Sequence, residues 1–88
     1  MFYTYVLSCR KGNKKELYVG STSNLKQRFN DHLSKSVGTT KKYTDIFLVY
    51  YEACNNKTDA IRREKQLKTG FGRGYIKRRL YNDVIMRD

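Results

Sequence analysis

The stretch LYVGSTSNLKQRFNDHL, residues 17–33, decides how this chain folds. With Glu16 it opens as ELYVG (16–20), an apolar and aromatic segment closed by glycine, which reads as a strand. STSN (21–24) follows, a cluster of helix-capping residues, and Asn24 stands three positions before Gln27 in the manner of a capping box. Leu25, Phe29 and Leu33 then recur every four residues, which predicts a helix with one apolar stripe, ending near Ser36 and before Gly38.

Working outward, FYTYVLS (2–8) is a second strand by its aromatic and β-branched content, and RKGNKK (10–15) is a polar turn holding Gly12 and Asn13. The two strands form an antiparallel hairpin. With the turn centred near Lys11 and Gly12, Tyr5 faces Tyr18. Gly20 then falls beside Tyr3, where a missing side chain leaves a hollow or admits a ligand backbone. On the other side, VGTTKKYT (37–44) reads as a basic loop. The unbroken apolar run in IFLVYYE (46–52) predicts a central strand buried on both faces. Asn55 and Asn56 mark a turn, and a helix is predicted from its cap at Thr58 to about Lys68. GFGRG (70–74) reads as a break with Gly70 as C-cap, and a last helix from about Tyr75 to Ile85 carries Ile76, Leu80 and Val84. The expected fold is α+β in the order β-β-α-β-α-α: one domain over residues 1–88, a small three-stranded antiparallel sheet flanked by helices.

At 88 residues the chain is too short for two ordinary domains, and its eight Tyr and four Phe supply the bulk of a thin core. Nineteen Lys and Arg against eight Asp and Glu give a net charge of +11, spread through every segment and not gathered in a tail. Such a surface repels itself unless a polyanion offsets it, and nucleic acid is the usual partner. No long apolar run, signal-peptide pattern or lipidation motif points to a membrane. Cys9 and Cys54 form no CxxC pair, and one His is too few to complete a zinc site with them. They read as two reduced, half-buried thiols in an intracellular, cytoplasmic protein, a disulfide being the other reading.

Several residues break the patterning. Glu64 falls between Ala60, Ile61 and Leu67, inside the apolar stripe of its helix, while Arg62, Arg63, Lys65 and Gln66 take the outward positions. A carboxylate there needs either an ion pair with Lys or Arg or a hard cation such as Mg²⁺, and both readings stand. Arg28 and His32, four apart, share one helix face at the border of the apolar stripe. His32 there is either a packing residue with satisfied nitrogens or part of a reactive group, and Arg28 suits the clasping of a phosphodiester. GFGRG lacks the ending of a P-loop and reads as a turn. Lys41, Lys42, Arg73, Lys77, Arg78 and Arg79 are candidate phosphate contacts or ordinary solvated surface.

These residues together resemble the GIY-YIG nuclease superfamily, in particular its small stand-alone members related to the amino-terminal domain of the UvrC repair nuclease. YTYVL (3–7) takes the place of the first motif and LYVGSTSNLKQRFNDH (17–32) of the second with its helix; TKKY (40–43), LVYYEA (48–53), AIRREKQLK (60–68) and KTGFGRGYIKRRL (68–80) are similar as well. Tyr3-Thr4 stands where the first motif has Gly-Ile, and Val19 where the second has Ile. The resemblance implies a metal-dependent DNA endonuclease with weak sequence preference and a role in DNA repair or processing. It implies a site of Tyr5, Tyr18, Arg28, His32 and Glu64, with Glu64 holding one divalent ion, Mg²⁺ or Mn²⁺. Tyr5 or Tyr18 would take a proton from water, its pKa lowered by Arg28 or the metal, and the other would position substrate; His32 would orient a tyrosine or accept its proton. DNA contacts fall to Lys41, Lys42, Arg73, Lys77 and Arg78. Monomer and homodimer remain equally open. The rival is a non-catalytic basic nucleic-acid-binding protein on the same fold.

Overall fold

Gly12 and Asn13 alone turn the chain between β1 (Phe2–Lys11) and β2 (Lys14–Thr22), which pair antiparallel in a computed structural model that describes residues 1–83. Gly12 has φ 60, the left-handed value that the first position of a II′ hairpin turn demands. The turn sits one residue later than the sequence suggested, so the register moves by two. Tyr5 lies opposite Gly20 and Tyr18 opposite Leu7, not opposite Tyr5. A shift of two keeps every side chain on its expected face, and so the two tyrosines remain neighbours.

The sheet order is β2-β1-β3, with β3 spanning Asp45–Cys54. β1 and not β3 is therefore the central strand, and Thr4 through Cys9 are buried in succession on both of its faces. The run that suggested a central β3 has a different cause. Leu7 pairs with Leu48 but Val6 pairs with Tyr50, so Val49 is an extra residue that interrupts the alternation. A bulge of this kind lets an edge strand look continuously apolar. Phe47 and Tyr51 are in fact well exposed.

Helices cover both faces. Tyr5, Leu7, Cys9, Tyr43 and Ile46 form one core cluster, against which Leu25 and Phe29 of α1 (Leu25–Leu33) pack. Val6 and Val19 on the opposite face pack with Leu67 of α2 (Lys57–Leu67) and Ile76 of α3 (Gly70–Arg79). Asn24 caps α1 through the Gln27 amide, as expected, but the Gln27 side chain turns to Asp31 and leaves the capping box half made. α2 starts earlier than predicted: Asn56, not Thr58, is its cap, accepting from the amides of Thr58 and Asp59. GFGRG is not a break either. Thr69 caps α3 by accepting from the Gly72 amide, and the three glycines form its opening turns, so Gly70 is a first helical residue and no C-cap. Val84 and Ile85, the predicted end of the last helix, lie outside the described residues.

Close packing explains one of these glycines. A Cβ on Gly72 would stand 2.3 Å from the Leu67 Cα and 2.4 Å from its carbonyl oxygen. Those are backbone atoms and cannot step aside, so α3 approaches α2 only because residue 72 has no side chain. Gly72→Ala is expected to destabilise the protein by roughly 2 kcal/mol or more through overpacking. Urea unfolding followed by circular dichroism measures it, and a change under 0.5 kcal/mol would contradict this packing.

Candidate active site

The site begins with β1, the central strand, which places Tyr5 beneath α1. Tyr5 is 1% exposed, and its ring lies over Gly20: a Cβ there would come within 2.5 Å of the Tyr5 hydroxyl. Gly20 therefore makes room for a tyrosine of its own sheet, and not for a ligand backbone. The Tyr5 hydroxyl meets His32 Nε2 at 2.9 Å, and His32 Nδ1 meets Thr40 Oγ1 at 2.7 Å. The Tyr18 ring stands edge-on to His32 at 5.0 Å between centroids, and 6.3 Å from that of Tyr5.

His32 reaches this position because α1 ends just after it. Lys35 adopts a left-handed backbone (φ 66), its amide donating to the His32 carbonyl while the Ser36 amide donates to Asp31. That is the double bond of a Schellman close. The Lys35 ammonium then donates to the Tyr43 carbonyl and ties the helix end to the loop that brings Thr40. His32 is fully buried, whereas Leu33, predicted to continue the apolar stripe, is 48% exposed. The inward face of α1 is thus turned toward His32, and the imidazole lies within the core and not at its border.

Arg28, one turn earlier and half-buried, faces the phenols of Tyr5 and Tyr18, and their proximity, Tyr5 first, holds its guanidinium above its ordinary pKa although burial works the other way. Burial dominates for Tyr5 and pushes its phenol up to about 12, with Tyr18 and Glu64 adding to the rise and Arg28 opposing it. The expected lowering by Arg28 is real but outweighed, and Tyr5 keeps its proton at neutral pH.

His32 is held below its ordinary pKa of 6.5, first by burial and then by Arg28, with Asp31 working the other way. A depressed folded-state pKa means that the unfolded chain binds the proton first. Stability is then complete above about pH 6.5 and falls as the pH drops below it. Glu16, Glu52 and Glu64 are also lowered from their ordinary 4.5, so their losses begin only below that value. Between pH 6.5 and 5 the loss of unfolding free energy should therefore belong to His32. His32→Gln should flatten the slope there; an unchanged slope would assign it to other groups.

Glu64 lies on α2, across the sheet from α1, at the edge formed by β2. Ser21 donates to its Oε1 at 2.7 Å, and the Lys68 ammonium lies 2.7 Å from Oε2. Burial raises the carboxyl, but Lys68 and Ser21 outweigh it, and it stays ionised. The ion-pair reading of Glu64 is therefore realised, and the second reading is not displaced by it. The Lys68 side chain is 52% exposed. No group of three or more His, Cys, Asp or Glu gathers among the described residues.

Of the five sequence-predicted residues, Tyr5, Tyr18, Arg28 and His32 gather on the α1 face, while Glu64 lies across the sheet at the β2 edge. Two more belong with them. Ser21 read as a helix cap but lies in β2 and holds Glu64; Thr40 was visible within TKKY, and its hydrogen bond to His32 was not. The five candidate DNA contacts divide. Lys41 and Lys42 are exposed in the loop beside α1, and Lys42 lies 5.3 Å from the Tyr43 ring centroid. Arg73, Lys77 and Arg78 are exposed on α3, on the opposite face of the sheet. Cys9 is buried and Cys54 half-buried, both as free thiols. No helix among the described residues is long and apolar enough to cross a membrane.

The fold is thus a three-stranded antiparallel sheet with a Tyr–His–Arg group on one face and a glutamate at its β2 edge. Residues 1–81 match the model of the GIY-YIG catalytic domain, and the chain belongs to that family. It is 40% identical over 70 residues to a UPF0213 protein of Streptococcus agalactiae serotype V, which covers 75% of this chain and 73% of the relative. A UPF0213 protein of Staphylococcus haemolyticus is 35% identical over 76% of this chain and 79% of its own length. One from Desulfotalea psychrophila is 32% identical over 76% of this chain, which spans only 60% of that relative. No solved structure matches. The family domain is typical of endonucleases, acts on nucleic acid and generally uses a divalent metal ion.

Proposed function

We propose that the chain is a single-domain DNA endonuclease that hydrolyses phosphodiester bonds with one divalent ion, Mg²⁺ or Mn²⁺, at Glu64. The observation that carries this reading is the convergence of Tyr5, Tyr18, Arg28 and His32 on one face, with Glu64 held by Ser21 at the β2 edge of the same sheet. The donor set fits the ion. Mg²⁺ is commonly held by one or two carboxylates, with waters and substrate phosphate completing its shell, and a lone Glu64 suits that arrangement. Its exposed Lys68 partner is readily displaced. When bound, such an ion stabilises charge on the leaving oxygen.

The protein's own residues divide the remaining work. Arg28 binds the phosphodiester and neutralises charge building on its oxygens. Tyr18 is the tyrosine assigned to receive the proton of the attacking water, having first released its own phenol proton to solvent, which reaches it because it is only half-buried; Tyr5 is 1% exposed and stays protonated. Tyr5 and neutral His32 form a fixed chain to Thr40 that orients the Tyr18 ring. Lys41 and Lys42 hold DNA on the site's face, and Arg73, Lys77 and Arg78 meet a second stretch of it behind the sheet. Weak sequence preference, a place in DNA repair or processing and a cytoplasmic location complete the reading.

The test is cleavage by the purified protein. Supercoiled, branched and single-stranded DNA should be cut with Mg²⁺ or Mn²⁺, and EDTA should stop the reaction. Salt-dependent binding without cleavage of any of them would favour the non-catalytic binder.

A further inference from the structure

Beside Tyr5, where α1 stops covering the sheet, an open groove of about 530 Å³ runs between the start of α1 and the far ends of β1 and β3. That volume lies within the roughly 300–1,000 Å³ of small-molecule sites. Tyr3, Tyr51, Phe29 and Leu48 line it, together with the exposed Asn24 and Lys26. The register makes it continuous with the reactive group: Tyr51 pairs directly with Tyr5, and Tyr3 lies two residues along β1 on the same face. Tyr51 is 54% exposed and meets the Tyr3 ring edge-on at 6.2 Å. No Asp or Glu lines the groove, and the chain around it carries +11.

We propose that this groove takes an unpaired nucleotide of the DNA next to the cleaved bond, its base stacked on Tyr51 and its phosphate drawn by Lys26. Resting on the nuclease reading, this adds to it a preference for single-stranded arms over continuous duplex. A base inside a duplex cannot offer its face to Tyr51, whereas an unpaired one can, whatever its identity. An apolar protein segment would gain nothing from Lys26 or the surrounding positive charge. The positive surface complements a strand carrying one negative charge per nucleotide.

The experiment measures binding in EDTA, so that its outcome does not depend on catalysis. The probes are a duplex with a short thymine arm carrying one 2-aminopurine, the same duplex without the arm, and one with an RNA arm. The wild type should bind the DNA arm more tightly than plain duplex and quench the 2-aminopurine. Tyr51→Ala should lose at least about fivefold on the armed probe and nothing on plain duplex, while Tyr51→Phe keeps the difference. Equal binding of armed and plain duplex overturns the proposal, as does a Tyr51→Ala loss shared by both probes or a preference for the RNA arm. Light scattering that shows a wild-type dimer turned to monomer by Tyr51→Ala, with DNA affinities unchanged, overturns it in favour of a second copy on this face. Arm preference without cleavage in Mg²⁺ would sink the nuclease reading and leave the groove standing.

Discussion

Glu64→Gln is expected to abolish metal-dependent DNA cleavage, by at least about 10³-fold, while the protein stays folded. The substitution preserves shape and an acceptor for the Ser21 hydroxyl, and removes only the charge. Its structural cost is small because the Lys68 partner is 52% exposed, and ion pairs in such settings contribute about 0–1 kcal/mol. The chemical cost is large because a neutral amide is a poor ligand for a hard cation, and no cluster of three or more acidic, His or Cys residues is present among the described residues to replace it. DNA affinity in EDTA should hold steady or rise, since one negative charge has gone. A variant that unfolds would show Glu64 to be structural, and one that cleaves normally would remove it from the site.

Arg28→Ala should lower cleavage by about 10²- to 10³-fold, and Arg28→Lys should restore only a small part of that. Arg28 faces the Tyr5 and Tyr18 phenols. A planar guanidinium can keep those contacts and still present donors to a phosphate; a lysine ammonium delivers the charge without the fork. The loss should appear in kcat more than in DNA affinity, because Lys41, Lys42 and the α3 cations remain. A loss confined to affinity, with kcat intact, would make Arg28 a binding residue only.

Much of this molecule could be read from its residues. The three strands, the α1 cap at Asn24 and the cluster around Tyr5 followed from alternation, capping chemistry and the family resemblance. Where the reading failed, long-range packing decided. The apolar run of β3 hides a bulge at Val49 that only pairing with β1 reveals. GFGRG looks like a helix breaker, yet Gly72 is needed because Leu67 backbone lies against it. The stripe of α1 named Leu33 as core and left His32 at the border; the Schellman close at Lys35 and the bond to Thr40 reverse their roles. No local rule signals that Ser21 and Thr40 hold Glu64 and His32, since their partners lie 43 and 8 residues away. The proximity of Arg28 to a tyrosine is legible in sequence, whereas the depth of burial that raises the Tyr5 phenol is not.

Crystals of the wild-type protein soaked in Mn²⁺ and measured for anomalous scattering would test the role of Glu64 at the atom concerned. A manganese peak is expected at about 2.1–2.2 Å from a Glu64 carboxylate oxygen, with the Lys68 ammonium moved aside and Tyr18 and Arg28 facing the ion. Strong density for an intact Glu64–Lys68 pair, with manganese bound elsewhere or nowhere under conditions in which the same protein cuts DNA, would contradict that role.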